Sequence, residues 1–174
     1  LVEAANAVLP PFSERSQRYA EKVLRRRGVD VRLGATVAEA RDDAVVLRSG
    51  EVIPSQTIVW AAGVRSSPLA ERLETELLRG FRVKVEPDLS LPGHPDIFAV
   101  GDLVGAGPEP DAGKLYPQVA QVAIQSGKHA ARTILRRMQG RPGQPLIYED
   151  LGSMAIIGRN AGIAALSPGF FNIK

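Results

Sequence analysis

The apolar run Ile97-Phe98-Ala99-Val100, followed at once by Gly101-Asp102, restricts the fold more than any other feature of this sequence. Consecutive apolar residues without alternation suit a strand buried on both faces, as in a parallel sheet covered by helices. We expect Asp96–Val100 to be such a strand. Thr57-Ile58-Val59-Trp60-Ala61-Ala62, ending at Gly63, reads as a second. Parallel strands need crossover connections, and the start of the chain supplies one. Leu1–Ala4 reads as a strand end, and Ser13 is placed to cap a helix from Glu14 to Arg27. Gly28 stops that helix, and Val29–Leu33 alternates as a strand. Strand, helix and strand with short links predict an α/β fold.

Other elements decorate this frame. Thr36–Ala40, Ala44–Arg48 and the turn at Ser49-Gly50 predict a small antiparallel β insertion. A short helix is expected over Pro68–Leu73, a strand over Arg82–Val85, and a loop over Pro87–Pro95. Pro117 is expected to open a long helix reaching Met138, since proline suits the first helical position. Gly140–Pro145 reads as a linker and Met154–Ile157 as the last strand.

Composition narrows the function classes. A net charge of +3, spread over 174 residues, gives no nucleic-acid footprint. Arg25-Arg26-Arg27 falls in the last turn of the first helix, where cations favour the helix dipole. The absence of cysteine excludes disulfides, Cys-ligated zinc and a Cys-x-x-Cys redox pair within these residues. No apolar run approaches the roughly 18 residues of a membrane span. His94 and His129, the only histidines, have no sequence partner that suggests metal or nucleophilic chemistry.

The chemistry-bearing patterns lie around the second apolar run. Ligands of open α/β sheets bind beyond the carboxyl ends of the strands, where Gly101-Asp102 stands. A carboxylate there can accept hydrogen bonds from sugar-like hydroxyls, although an ordinary Asp turn has the same sequence. On the following helix, Gln121 and Gln125 are four residues apart and share a face, with Gln118 extending the stripe. Ala120, Ala123 and Gly127 make a small-residue surface beside them. From spacing alone a solvated helix face, with the glutamines on the wet side, is the favoured reading. Gly-x-Gly-x-x-Gly does not occur in the chain, so the usual cradle for dinucleotide phosphates is expected to lie outside it.

The ordered series Trp60-Ala61-Ala62-Gly63-Val64, Ile97–Asp102, Ala120–Gln125 and Gly152–Arg159 resembles the type II, single-subunit NADH:quinone oxidoreductases. These belong to the two-dinucleotide-binding flavoproteins of the pyridine nucleotide-disulphide oxidoreductase type. The resemblance implies a partial Rossmann-like flavoprotein fold. Residues 1–80 would be the C-terminal half of an NADH-binding domain. Residues 81–140 would close an FAD-binding domain and carry the quinone-site helix, and 141–174 would begin a C-terminal segment.

It also implies site roles. Gly101 and Asp102 would meet the ribityl chain of FAD. The amides of Gln118, Val119 and Ala120 would face the ring, where a helix start favours negative charge. Ala-Gln-x-Ala-x-Gln matches the quinone-site pattern, so Gln121 and Gln125 would donate to the quinone carbonyls. Glu3 would bind the adenosine ribose of NADH and disfavour a 2′-phosphate, with Ala62 and Gly63 beside the nicotinamide. The implied activity passes a hydride from NADH to FAD and two electrons on to a membrane quinone, with no catalytic side chain and no metal.

The family holds the cytoplasmic face of the membrane through a C-terminal region expected to be largely missing here. The 174 residues are expected to be a fragment that is soluble and does not turn over NADH by itself. Two other readings stand beside this one. One is a related FAD- and NAD(P)-dependent reductase with another acceptor; the other is a non-catalytic half-fold that forms a homodimer. The sulfide-oxidising relatives need redox cysteines, which this chain lacks.

Overall fold

The computed structural model describes residues 1–165. The tail Phe170–Lys174 lies outside the described residues. In chain order the elements are α1 (Glu14–Arg26), β1 (Val37–Ala40), β2 (Ala44–Leu47), β3 (Val52–Pro54), β4 (Leu77–Leu78), β5 (Arg82–Lys84) and β6 (Ser90–Leu91). Then follow β7 (His94–Phe98), β8 (Val104–Gly105), α2 (Ala120–Met138), β9 (Ser153–Gly158) and β10 (Ala161–Ala165). Short 3₁₀ turns cover Pro68–Arg72 and Gly101–Leu103. This is the mixed α/β composition with small antiparallel sheets that the sequence predicts. The chain divides into two compact units, Leu1–Ala61 with the residues from Leu151 onward, and Ala62–Asp150.

In the first unit the crossover forms as expected. Ser13 caps α1 by accepting from the Ser16 amide, and Gly28 follows the last turn with φ +79°. Val2 and Arg32 bridge in parallel, with the Glu3 amide donating to the Arg32 carbonyl at 2.9 Å. Val29–Leu33 is thus paired to the chain start by a single bridge rather than a full strand. The core gathers Val8, Ala20, Val31 and Ile163, with Phe12, Leu24 and Ile157 packed against it. β1, β2 and β3 form an antiparallel meander, and β9 with β10 an antiparallel hairpin whose second strand the sequence reading did not foresee.

Thr57–Ala62 departs from expectation. It forms no strand, and Val59 and Trp60 are 84% and 66% exposed. A run apolar on both sides is buried only when strands flank it and layers cover it. Among the described residues no strand pairs with it.

In the second unit β4, β5 and β8 form one sheet, with β4–β5 antiparallel and β5–β8 parallel through Val83↔Val104. Val83, Leu91, Ala99 and Ala70 make its core. The strand expected to be doubly buried over Asp96–Val100 is instead β7, which begins at His94 and pairs antiparallel with β6. The residues of β7 are mostly exposed, and of the expected run only Ala99, just past the end of β7, is sealed inside. β6 is its one partner among the described residues, which leaves an edge and a face uncovered. The presumed loop Pro87–Pro95 contains β6 and a turn at Gly93, φ +76°.

The long helix also begins later than expected. Val119 is the N-cap in extended conformation, so Pro117 stands outside the helix rather than at its first position. The Val119 amide donates to the Pro117 carbonyl at 3.1 Å, closing a turn ahead of α2. Val122, Ser126, Ala130 and Thr133 recur at near-helical spacing and are the buried stripe of α2.

Candidate functional site

The second unit brings the Gly101-Asp102 turn and the start of α2 together. Gly101 adopts φ +66°, which a side chain disfavours, and Ala123 of α2 lies 3.5 Å from where its Cβ would be. The Gly101 amide donates to the Ser126 hydroxyl at 3.0 Å, and that hydroxyl donates to the Ala123 carbonyl at 3.1 Å. Ser126 has no solvent exposure. One buried serine therefore ties the turn to the second turn of the helix.

The Asp102 carbonyl accepts from the Ser66 hydroxyl at 2.8 Å and from the Gln118 carboxamide at 3.0 Å. The Asp102 side chain is exposed, and its carboxylate accepts no hydrogen bond among the described residues. Arg82 lies close enough for Asp102 to favour its charged form. Partial burial and the repulsion of Arg79 outweigh that help and hold the guanidinium below its ordinary range. Arg82 also donates to the Tyr116 carbonyl at 2.6 Å, fixing the stretch that leads into α2.

The amides expected to face a ligand differ among themselves. Val119 has spent its amide on Pro117, whereas no side chain caps α2. The helix start therefore keeps the partial positive charge of uncapped amides, Ala120 among them.

Gln121 and Gln125 share a face of α2, as their spacing requires. Both reach the segment that follows the linker. The Gln121 carboxamide lies 3.5 Å from the Asp150 carboxylate. Gln125 donates to the Glu149 carbonyl at 2.8 Å and accepts from the Glu149 amide at 2.9 Å. Tyr148, one residue earlier, packs its ring 4.7 Å from that of Tyr116. Its hydroxyl is buried and has no hydrogen-bond partner among the described residues. Burial is the first cause that raises its pKa, followed by the Asp150 and Tyr116 charges.

Glu3 belongs to the first unit, half-buried, and its carboxylate accepts from the Ala5 amide at 2.8 Å. Ala62 and Gly63 open the second unit in an exposed stretch, Gly63 with φ +113°. A cavity of about 410 Å³ also lies in the second unit, lined by Asp88, Arg137 and Gly143 among others, and none of the expected site residues borders it. Among the described residues no cluster of His, Asp or Glu could hold a metal, and no helix is long and apolar enough to cross a membrane.

Ser66, Arg82, Ser126 and Tyr148 did not stand out in the sequence. Ser126 carried one readable signal, a small polar residue on the otherwise apolar stripe of α2.

Residues 1–127, which include the Gly101-Asp102 turn and the first two turns of α2, match the family model described as pyridine nucleotide-disulphide oxidoreductase. The chain belongs to that family. Within it, the chain is similar to the type II NADH:quinone oxidoreductase Ndh of Mycobacterium tuberculosis, 38% identical over 179 residues. That match covers 97% of this chain and 37% of the relative. The type II NADH:quinone oxidoreductase of Staphylococcus saprophyticus is 32% identical over 171 residues, covering 95% of this chain and 41% of that protein. The chain thus spans about two fifths of the length of these relatives. Among solved structures, NDH2 of Plasmodium falciparum in complex with NADH shares the fold, with TM-score 0.80 at 15% identity, over 95% of this chain and 49% of that one. The resemblance to type II enzymes read from the four motifs is borne out by these relatives.

Proposed function

We propose that this member of the pyridine nucleotide-disulphide oxidoreductase family works in a flavoprotein that carries electrons from NADH to a quinone. The observation that carries the reading is the meeting of Asp102 with the start of α2, joined through Gln118 at 3.0 Å and braced by Ser126. Names borne by relatives over 93–97% of this chain point the same way.

The residues fit FAD on two counts. An exposed carboxylate without a hydrogen-bond partner among the described residues suits the ribityl hydroxyls, and a helix start without a side-chain cap suits the electron-rich edge of the ring. FAD, when bound, supplies the two-electron relay between donor and acceptor. The protein's own part is positional. Gly101 lets the turn come close to α2, Asp102 orients the chain of the cofactor, and Ala120 offers a backbone amide to negative charge. Gln121 and Gln125 border the acceptor side as neutral groups, which avoids burying an ion beside an uncharged quinone. Glu3 holds the ribose of NADH, and Ala62-Gly63 flank its nicotinamide. We further assign residues 1–80 to the NADH-binding part, 81–140 to the flavin part and 141–174 to a C-terminal segment that leads toward a membrane surface, on the cytoplasmic face.

Absorbance spectroscopy of the full-length polypeptide that carries these residues tests the reading. A yellow protein, bleached by NADH and recoloured by a quinone, is expected. A colourless protein, or one bleached by NADH and recoloured by ferredoxin but not by quinone, overturns it.

A further inference from the structure

Residues 59–65 are exposed one after another, and Ser66 is the first residue after them to be buried, at 3% exposure. The chain beyond it is anchored, because Ser67 accepts from the Leu69 amide at 3.3 Å and Ala70 enters the core. Ser66 itself is held twice. Its amide donates to the Gly80 carbonyl at 3.3 Å, just ahead of β5. Its hydroxyl donates to the Asp102 carbonyl, 36 residues along the chain, at 2.8 Å. Arg65 beside it pairs with Glu71 at 2.6 Å and lies 4.0 Å over the Phe81 ring. Those side chains are largely exposed, and ion pairs open to water hold weakly. Breaking a hydrogen bond at a buried group costs more, since no water replaces the lost partner. The Ser66 hydroxyl is therefore the firmer tie between the exposed run and the Gly101-Asp102 turn.

We propose that Ser66 is a positioning residue for electron entry: its hydroxyl pins the end of the exposed run, and with it Ala62 and Gly63 a few residues ahead, to the Asp102 turn. The proposal rests on the reading that sets the nicotinamide beside Ala62-Gly63 and the flavin at Asp102. In that transfer one hydride, carrying two electrons, leaves the dihydronicotinamide ring for the flavin ring, and the nicotinamide is left oxidised. Such a transfer needs the reacting atoms about 3–3.5 Å apart, so a small drift of one flank against the other slows it. Ser66 is buried and acts through the two flanks rather than on either ring. Reoxidation by the acceptor does not use the donor flank and does not depend on this tie.

Single-turnover kinetics of the full-length polypeptide separate the two half-reactions. Ser66→Thr keeps the hydroxyl and Ser66→Val discards it, with the same added bulk in both. Bleaching of the flavin by NADH is expected to be about fivefold slower in Ser66→Val than in Ser66→Thr, the worth of one net hydrogen bond. Ser66→Ala repeats the comparison without added bulk and should fall behind wild type by a similar factor. Recolouring by a short-chain benzoquinone should keep one rate in all four proteins. Glu71→Gln, which removes the exposed pair of Arg65, should leave both rates unchanged. Equal bleaching with and without the hydroxyl overturns the proposal. So does a slowing of bleaching and recolouring by the same factor, which marks a general structural support.

The tie is also read without turnover. Hydrogen exchange at the amide of residue 66, corrected for the effect of each side chain on the intrinsic rate, should be about fivefold faster in Ser66→Val than in Ser66→Thr. Amides of Val122 and Ala130 in α2 should keep their protection, which separates a loosened tie from a melted unit. Exchange that is the same in the two variants overturns the proposal. A wild-type protein that NADH does not bleach sinks the donor reading of the preceding section, and the role of Ser66 in electron entry with it. A wild type that NADH bleaches, with Ser66→Val as fast as Ser66→Thr, leaves that reading standing and sinks this proposal alone.

Discussion

At the scale of single residues, Ser126 and Gly101 carry the site. Ser126 sits with no exposure and closes two hydrogen bonds, so Ser126→Ala leaves the Gly101 amide without its acceptor. We expect a loss of about 1–3 kcal/mol in denaturant unfolding. Gly101→Ala meets ordinary contact at Ala123 but must hold φ +66°, which costs about 1–2 kcal/mol for an L residue. Tyr148→Phe has the opposite sign. Its hydroxyl is buried without a partner among the described residues, so removing it should leave stability unchanged or raise it by up to about 1 kcal/mol. A clear loss in that variant would mean the hydroxyl is satisfied in solution. The order of Gly101-Asp102 and the helix that follows was readable in the sequence because both are local patterns. The pairing of Gln125 with the Glu149 backbone was not, because its partner lies 24 residues away and a backbone group leaves no mark on residue type.

Among the elements, the end of α2 is held to the β6 region by one ion pair. Arg137 meets Asp88 at 2.6 Å, and their side chains are 26% and 14% exposed. Partial burial works to raise the Asp88 carboxyl. Hydrogen bonds from the Ser90 hydroxyl and amide, together with the Arg137 guanidinium, hold it below the usual carboxylate range. A carboxyl depressed on folding contributes stability that is present above its unfolded value, about pH 3.9, and is lost as pH falls through the lower folded value. Asp88→Asn should therefore lose less stability than wild type between neutral pH and the acid limb below about pH 4. Parallel acid dependences in the two proteins would contradict this.

Elements with their own punctuation were the ones the sequence disclosed. Ser13 and Gly28 bound α1, and Ser49-Gly50 turns the antiparallel meander. Thr57–Ala62 and the presumed strand at Asp96–Val100 were misjudged because burial on two faces depends on neighbours that a local run does not encode. Pro117 misplaced the start of α2 for a related reason. Proline is equally at home in the turn ahead of a helix, and the Val119–Pro117 bond decides between the two.

For the whole molecule, exposed apolar side chains set the expected behaviour in solution. Val59, Trp60, Met138, Ile147, Met154 and Ile156 are all at least 66% exposed. Val59 and Trp60 are consecutive, and Met154 and Ile156 share one face of β9; adjoining exposed apolar side chains favour association. The 174-residue chain should bind a hydrophobic dye and show a mass that rises with concentration in sedimentation equilibrium. Trp60 emission should be that of a solvated indole in dilute samples and shift to the blue as association proceeds. A strictly monomeric chain with a concentration-independent spectrum would count against this.

A ribbon tacked to a rod at successive points need not come off all at once. Arg136 holds the Pro142 carbonyl, His129 the Gln144 carbonyl and Gln125 the backbone of Glu149, so each tack can open by itself while the rod of α2 stays wound. Peeling from the Asp150 end first frees Tyr148 from its ring contact with Tyr116, so that end of the rod can be uncovered in small steps.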